Sequence, residues 1–138
     1  MNITYKTLKD LPCEQLYQLF LAVGWATEDT TSPEIISNFN IGFIHSTFAF
    51  SAWDDETLVG CVRVLSDLKF RSVIYDLAVL PDYQHMGIGK SLVQKCIDTC
   101  PDSGWLVQTE TAEEFYKKVG FTPYEKETFL AIKGKWTN

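Results

Sequence analysis

Gln84-His85-Met86-Gly87-Ile88-Gly89-Lys90-Ser91 stands between an apolar run and a helical pattern, and its reading decides the fold. A glycine-rich turn that opens a helix points several unpaired backbone N–H groups, and the positive end of the helix dipole, at one place. Such a place suits a phosphate or pyrophosphate. A Cβ at Gly87 or Gly89 is expected to obstruct a positive φ or the close approach of an anion. Alone, the string fits equally well a tight strand-to-helix connection that binds nothing. Its flanks decide between the two.

Upstream, Val73-Ile74-Tyr75-Asp76-Leu77-Ala78-Val79-Leu80 is apolar on both alternation faces except for one acid. That is the pattern of a strand covered on both sides, and Pro81-Asp82 ends it. Downstream, Ile88, Leu92, Val93, Cys96, Ile97 and Cys100 lie on one face of a 3.6-residue helix, with Lys90, Ser91, Gln94, Lys95 and Asp98 on the other. Pro101-Asp102-Ser103-Gly104 stops it. The turn therefore sits at the C-terminal end of a strand, where α/β folds place ligands. A P-loop is excluded because Gln84 occupies the position of its first glycine. A dinucleotide fingerprint is excluded because the glycine order is reversed and the turn falls past mid-chain.

Composition narrows the class. A chain of 138 residues, 46% hydrophobic and 22% charged, suits one compact domain spanning residues 1–138. No apolar stretch has the length of a membrane span and no basic-then-apolar leader is seen, so a cytoplasmic protein without a membrane partner is expected. Cys96 and Cys100 lie four apart on one helix face, but with only two histidines the four cysteines read as buried reduced thiols and no metal is expected. The net charge of −6 argues against nucleic acid and is compatible with a cationic amine.

The rest of the chain supplies a scaffold. Residues 3–8 are β-like. Pro12 opens a helix carrying Leu16, Leu19, Phe20 and Val23 that ends at Gly24, and Ser32-Pro33-Glu34 caps a second. Residues 48–53 and 57–65 form a hairpin across Asp54-Asp55-Glu56. Residues 105–108 are a fifth strand. Thr111 and Glu114 spell a capping box for a helix ending at Gly120, and residues 128–132 a last strand. The order gives a mixed-sheet α/β domain rather than a regular βαβ repeat.

At this point the chain resembles the GNAT family of acetyl-CoA-dependent N-acetyltransferases. Leu77-Ala78-Val79, Pro81 and Gln84 to Gly89 match its strand-and-turn signature. Ala112-Glu113-Glu114-Phe115-Tyr116-Lys117-Lys118-Val119-Gly120-Phe121 matches a second block. Val23-Gly24-Trp25, with Asp76-Leu77-x-Val79 and Tyr83-Gln84, is similar to the arylalkylamine branch. The resemblance implies a mostly antiparallel mixed sheet, splayed between its fourth and fifth strands and flanked by about four helices. It implies transfer of acetyl from acetyl-CoA to a primary amine, a small molecule in the first instance. A protein or peptide acceptor, or a non-catalytic acyl-CoA-binding module, stays open, and there is room for a homodimer.

By the same resemblance, the backbones of Leu77, Ala78 and Val79 meet the pantetheine and acetyl oxygen. His85, Met86, Gly87, Ile88, Gly89, Lys90 and Ser91, with Gln84 before them, meet the phosphates. Thr109 and Phe115 complete the cosubstrate site, although many members carry Asn where Thr109 stands. Tyr116 matches the tyrosine that donates a proton to the leaving thiolate, and a phenol is protonated at neutral pH; a packed aromatic in a Phe-Tyr pair is the other reading. Asp76 is the candidate base, acting through water, or else a loop-capping acid. Some branches place the carboxylate at position 74, here Ile74, and a regular strand turns 74 and 76 to one side. His85 contributes its backbone rather than its imidazole. Trp25, Phe39, Phe43, Phe48 and Trp53 either line an acceptor pocket or belong to the core.

Overall fold

A computed structural model describes residues 1–125 and 130–135. Among the described residues, five strands form one sheet in the order β1 (Ile3–Lys6), β2 (Phe48–Asp54), β3 (Thr57–Ser66), β4 (Arg71–Val79), β5 (Gly104–Val107). Every neighbouring pair is antiparallel except β4 and β5, which run parallel. This is the mixed α/β acetyltransferase architecture that the resemblance implies. Helices α1 (Cys13–Ala22), α2 (Pro33–Ser37) and α3 (Ile41–Ile44) come between β1 and β2. Helix α4 (Ile88–Thr99) links β4 to β5, and α5 (Glu113–Lys118) follows β5.

The sheet separates two apolar layers. On one face Ile88, Leu92, Val93 and Cys96 of α4 pack with Val62, Val64 and Ile74 of the sheet and with Tyr116 of α5. On the other, Leu16 and Leu19 of α1 and Phe43 of α3 pack with Trp53, Leu58, Cys61 and Ala78. The turn signals hold where side chains can reach backbone: the Ser32 hydroxyl accepts from the Ile35 N–H at 3.3 Å, and Gly24, at φ +83°, ends the run after α1. All four cysteines are free thiols; Cys61, Cys96 and Cys100 are buried as expected, whereas Cys13 is only partly buried.

Two features differ from the sequence expectation. The capping box does not form: α5 starts at Glu113 after an uncapped Ala112, and the Thr109 hydroxyl instead accepts from the Ala112 N–H at 3.0 Å. The last strand, expected over residues 128–132, falls in part on residues 126–129, which lie outside the described residues; residues 130–132 carry no strand.

The irregularity that shapes the site is in β4. Cys61 pairs with Ala78 and Arg63 with Tyr75, so Asp76 and Leu77 together face the single residue Val62. Asp76 has φ +52°, a left-handed conformation that few residues other than glycine, asparagine and aspartate adopt. This is a β-bulge, and it flips the alternation. Ile74 belongs to the α4 layer, whereas Ala78, four residues on, belongs to the α1 layer; Leu77 and Val79 pack on the α4 layer instead. Ile74 and Asp76 therefore do not share a face. The bulge turns the Asp76 carboxylate to the α1–α3 side, where Arg63 meets it.

Gly60 lets the layers close at this point. A Cβ there would lie 3.2 Å from Leu92 Cδ1 and 3.3 Å from the Ala78 carbonyl oxygen, and a backbone carbonyl in the ladder cannot yield cheaply. Gly60→Ala is expected to lower unfolding stability by about 1–3 kcal/mol, the usual range for overpacking. Urea denaturation checks this, and an unchanged midpoint would show that α4 and β4 are not tightly apposed here.

Candidate active site

The glycine turn is held from both ends. A one-turn 3₁₀ segment (Pro81–Tyr83) leaves β4, and the Tyr83 hydroxyl donates to Asp54 Oδ2 at 2.7 Å. Gln84 Nε2 donates back to the Val79 carbonyl at 2.9 Å, tying the turn to the strand it has just left. His85 (φ +64°) and Gly87 (φ +84°) are both left-handed, and Gly87 is the N-cap of α4. The amide of Ser91 is bonded to the Gly87 carbonyl at 3.0 Å. The amides of Ile88, Gly89 and Lys90 precede it and point out of the helix start. Of the two glycines, only Gly87 has a positive φ. At Gly89 a Cβ would be in ordinary contact with the Phe115 ring at 3.4 Å, so a larger side chain would stand on the cleft wall.

These amides border a cleft of about 510 Å³ lined by Leu77, Val79, Gln84, His85, Gly87, Gly89, Lys90, Ala112 and Phe115. A second cleft of about 270 Å³ is lined by Trp25, Ile74, Tyr75, Asp76, Leu77, Val107, Gln108, Thr109, Thr111, Ala112 and Tyr116. Leu77 and Ala112 border both, so the two run on from each other across β4. The second exists because β4 and β5 part: their ladder runs from Arg71–Gly104 to Ile74–Val107 and goes no further. Polar backbone of residues 75–79 is thereby left beside a cleft instead of a strand.

Most of the residues singled out in the sequence border this groove. Tyr116, Asp76 and Thr109 line the inner cleft, and Gln84, His85, Gly87, Gly89, Lys90 and Phe115 the outer one. Ile88 and Ala78 face the core with their side chains, which leaves them only backbone to offer, and the Met86 side chain is exposed. Of the candidate aromatic lining, Phe43 and Trp53 are core residues and only Trp25 borders the cleft, braced edge-to-face on Phe20 at 5.2 Å. The sequence reading missed Tyr75, Gln108 and Thr111 in the cleft, and it missed Arg63. Exposed and interrupted patterns give no periodic signal for such residues.

Tyr116 is 6% exposed, wedged edge-to-face between Phe115 at 5.0 Å and Phe121 at 5.4 Å. Burial, with the neighbouring Cys96 thiol adding to it, pushes its phenol up to about 12. No hydrogen bond to the hydroxyl is found among the described residues, and it borders the inner cleft. Asp76 is differently placed. Its Oδ2 accepts from Arg63 Nε at 2.5 Å, and its carbonyl accepts from Cys61 Sγ at 3.4 Å. The Thr109 hydroxyl, already accepting from Ala112, keeps its proton to donate.

Among the described residues, no helix is long and apolar enough to cross a membrane, and no group of three His, Cys, Asp or Glu side chains could hold a metal. A family model for "Acetyltransferase (GNAT) family" matches residues 11–121. The chain is 32% identical over 127 residues to an uncharacterised N-acetyltransferase, ycf52, of Pyropia yezoensis, covering 87% of this chain and 70% of that protein. It is 28% identical over 129 residues to a histone acetyltransferase of Glycine max, covering 87% of this chain and 56% of that one. A GNAT-family acetyltransferase from Streptococcus pneumoniae superposes with a TM-score of 0.77 at 28% identity, over 96% of this chain and 98% of that chain. With the strand-bulge-glycine-turn groove in place and the family model covering most of the sequence, the chain belongs to the GNAT acetyltransferase family and is an acetyl-CoA-dependent acyltransferase.

Proposed function

We propose that residues 1–138 act as one N-acetyltransferase unit that passes acetyl directly from acetyl-CoA to a small primary amine. The observation that carries this reading is the continuity of the two clefts at Leu77. One holds the helix-start amides and Lys90 for an anion; the other is bordered by the buried Tyr116 at the β4–β5 gap. The residues fit the cosubstrate: the left-handed His85 and Gly87 shape an anion cradle, and Val79, Leu77 and Phe115 offer apolar wall to a pantetheine arm.

Acetyl-CoA supplies an activated acyl group as a thioester. The chain's residues do the rest. Backbone amides of Leu77 and Val79, on the unpaired side of β4, stabilise negative charge on the acetyl oxygen. Tyr116 donates a hydrogen bond to sulfur as the carbon–sulfur bond breaks. An acid near 12 does not give its proton outright to a thiolate of ordinary basicity, about 8.5. Tyr116 therefore stabilises the leaving charge, and the proton that ends on sulfur is balanced by the one the amine loses. Asp76 stands in the inner cleft to draw the ammonium in and take its first proton through water, which leaves the neutral amine to attack; the second proton, lost on collapse, is the one that balances the thiol. The small inner cleft and the aromatic pair Trp25 and Tyr75 on its wall favour a compact, aromatic amine, in keeping with the arylalkylamine-like segments. A protein lysine is the second reading, favoured by the Glycine max relative named as a histone acetyltransferase. Both clefts are built from one chain, so turnover does not need the homodimer, and the buried thiols suit a reducing, cytoplasmic setting.

An acceptor panel of aromatic amines, polyamines and lysine peptides tests the substrate class. Higher kcat/KM for small amines supports the proposal; turnover confined to peptides would replace it with the second reading. For the cosubstrate, Gly89→Val should weaken acetyl-CoA by at least about a hundredfold, ~2.7 kcal/mol, with the fold kept. Calorimetry showing undiminished affinity would remove the anion cradle from the account.

Tyr116→Phe should lower single-turnover rate by about a hundredfold while acetyl-CoA affinity changes little. Its pH signature follows from burial. The folded phenol sits near 12, above the unfolded value of about 10. Its contribution to stability is therefore intact below about pH 10 and is lost as pH rises towards 12. Wild-type stability should fall across that window, and Tyr116→Phe should remove part of the fall. Identical alkaline profiles would show that the phenol is not desolvated.

A further inference from the structure

Arg63 lies outside the cleft lining, yet its surroundings fix it on one target. Its Nε meets Asp76 Oδ2 at 2.5 Å, and its Nη1 reaches the Gly42 carbonyl at 3.5 Å and the buried Ser46 hydroxyl at 3.4 Å, both contributed by the α3 region. The guanidinium also lies over the Tyr75 ring at 5.2 Å and near the Phe43 ring at 6.0 Å. A long, rotamer-rich side chain held by two acceptors and two rings, besides the carboxylate, is already oriented before it meets Asp76.

Asp76 needs holding. It carries the positive φ of the bulge, a conformation that costs an L-residue free energy and persists only where its surroundings over-determine it. Here the carboxylate is gripped by Arg63, while the carbonyl of the same residue accepts from Cys61 Sγ at 3.4 Å. Leu77, the next residue, borders both clefts, so any relaxation of the bulge displaces the backbone at the point where they join.

We infer that Arg63 is a positioning residue for acetyl transfer: through its ion pair with Asp76 it fixes the β4 bulge, and with it the Leu77 backbone. The inference rests on the reading of the groove as an acetyl-transfer site. Arg63 lines neither cleft, and its route to the site is the Asp76 carboxylate rather than its stacking on Tyr75.

A double-mutant cycle tests this. In the wild-type background Arg63→Met should lower kcat about tenfold, or ~1.4 kcal/mol, with KM for acetyl-CoA changed less than about twofold, because the phosphate turn is untouched. Arg63→Lys, which keeps the charge and guards against loss of the fold, should give an intermediate kcat. Asp76→Gly accepts the left-handed conformation without a partner and lowers activity through loss of the carboxylate. In that background Arg63→Met should cost less than about twofold further. Equal losses in both backgrounds would show that Arg63 acts elsewhere, and no loss in either would show that it does nothing; each overturns the inference alone. A wild-type protein that turns over no amine would overturn the acetyl-transfer reading and this inference with it.

Discussion

The parallel pairing of β4 and β5 stops at Ile74 and Val107, and the rest of the site depends on that stop. A parallel ladder satisfies backbone amides and carbonyls strand to strand. Where it ends, those groups on β4 face a cleft and can serve a substrate. Two causes act together. On β4, the bulge at Asp76 and Leu77 adds a residue and bends the strand. On β5, the chain turns away after Val107 into the segment where Thr109 accepts from Ala112 and α5 begins. The gap is thus built by local chemistry on each strand, and α5 brings Tyr116 to its floor.

The site combines two kinds of electrostatics. At the outer cleft the charge carriers are backbone: helix-start amides aligned by a left-handed Gly87, with the exposed Lys90 beside them. Their field suits a bound anion and needs no titratable group. At the inner cleft the proposed donor is a neutral phenol, held between two aromatic rings, with the Asp76 carboxylate on the same cleft. Desolvation makes Tyr116 a weaker acid but a donor that stays protonated across the physiological range. A low local dielectric also strengthens a hydrogen bond to a developing charge.

Much of this was legible in the sequence, and the exceptions have a common cause. Strand and helix periods located β2 to β5, α1 and α4, because burial imposes them directly. The glycine turn and the Phe115-Tyr116 block were legible because each is local. The β4 bulge was not. A two-residue repeat is the only information in an apolar run such as Val73 to Val79, and an inserted residue leaves the run apolar while reversing its faces. That reversal put Asp76 on the opposite side from Ile74 and gave it Arg63, a partner 13 residues away with no sequence signal. The Thr111–Glu114 capping box failed for a related reason: Thr109, two residues earlier, took the amide at position 112 and delayed the helix start.

Amide hydrogen exchange, with and without acetyl-CoA, measures the central claim most directly, since the account assigns binding to particular backbone groups rather than to side chains. It predicts that acetyl-CoA slows exchange in two separate segments, the amides of Leu77 and Val79 on β4 and those of residues 87–90 at the start of α4, while the β1–β2 ladder is unchanged. Protection at the helix start without any change on β4 would contradict the splayed-strand site, and protection in neither segment would contradict the groove as a whole.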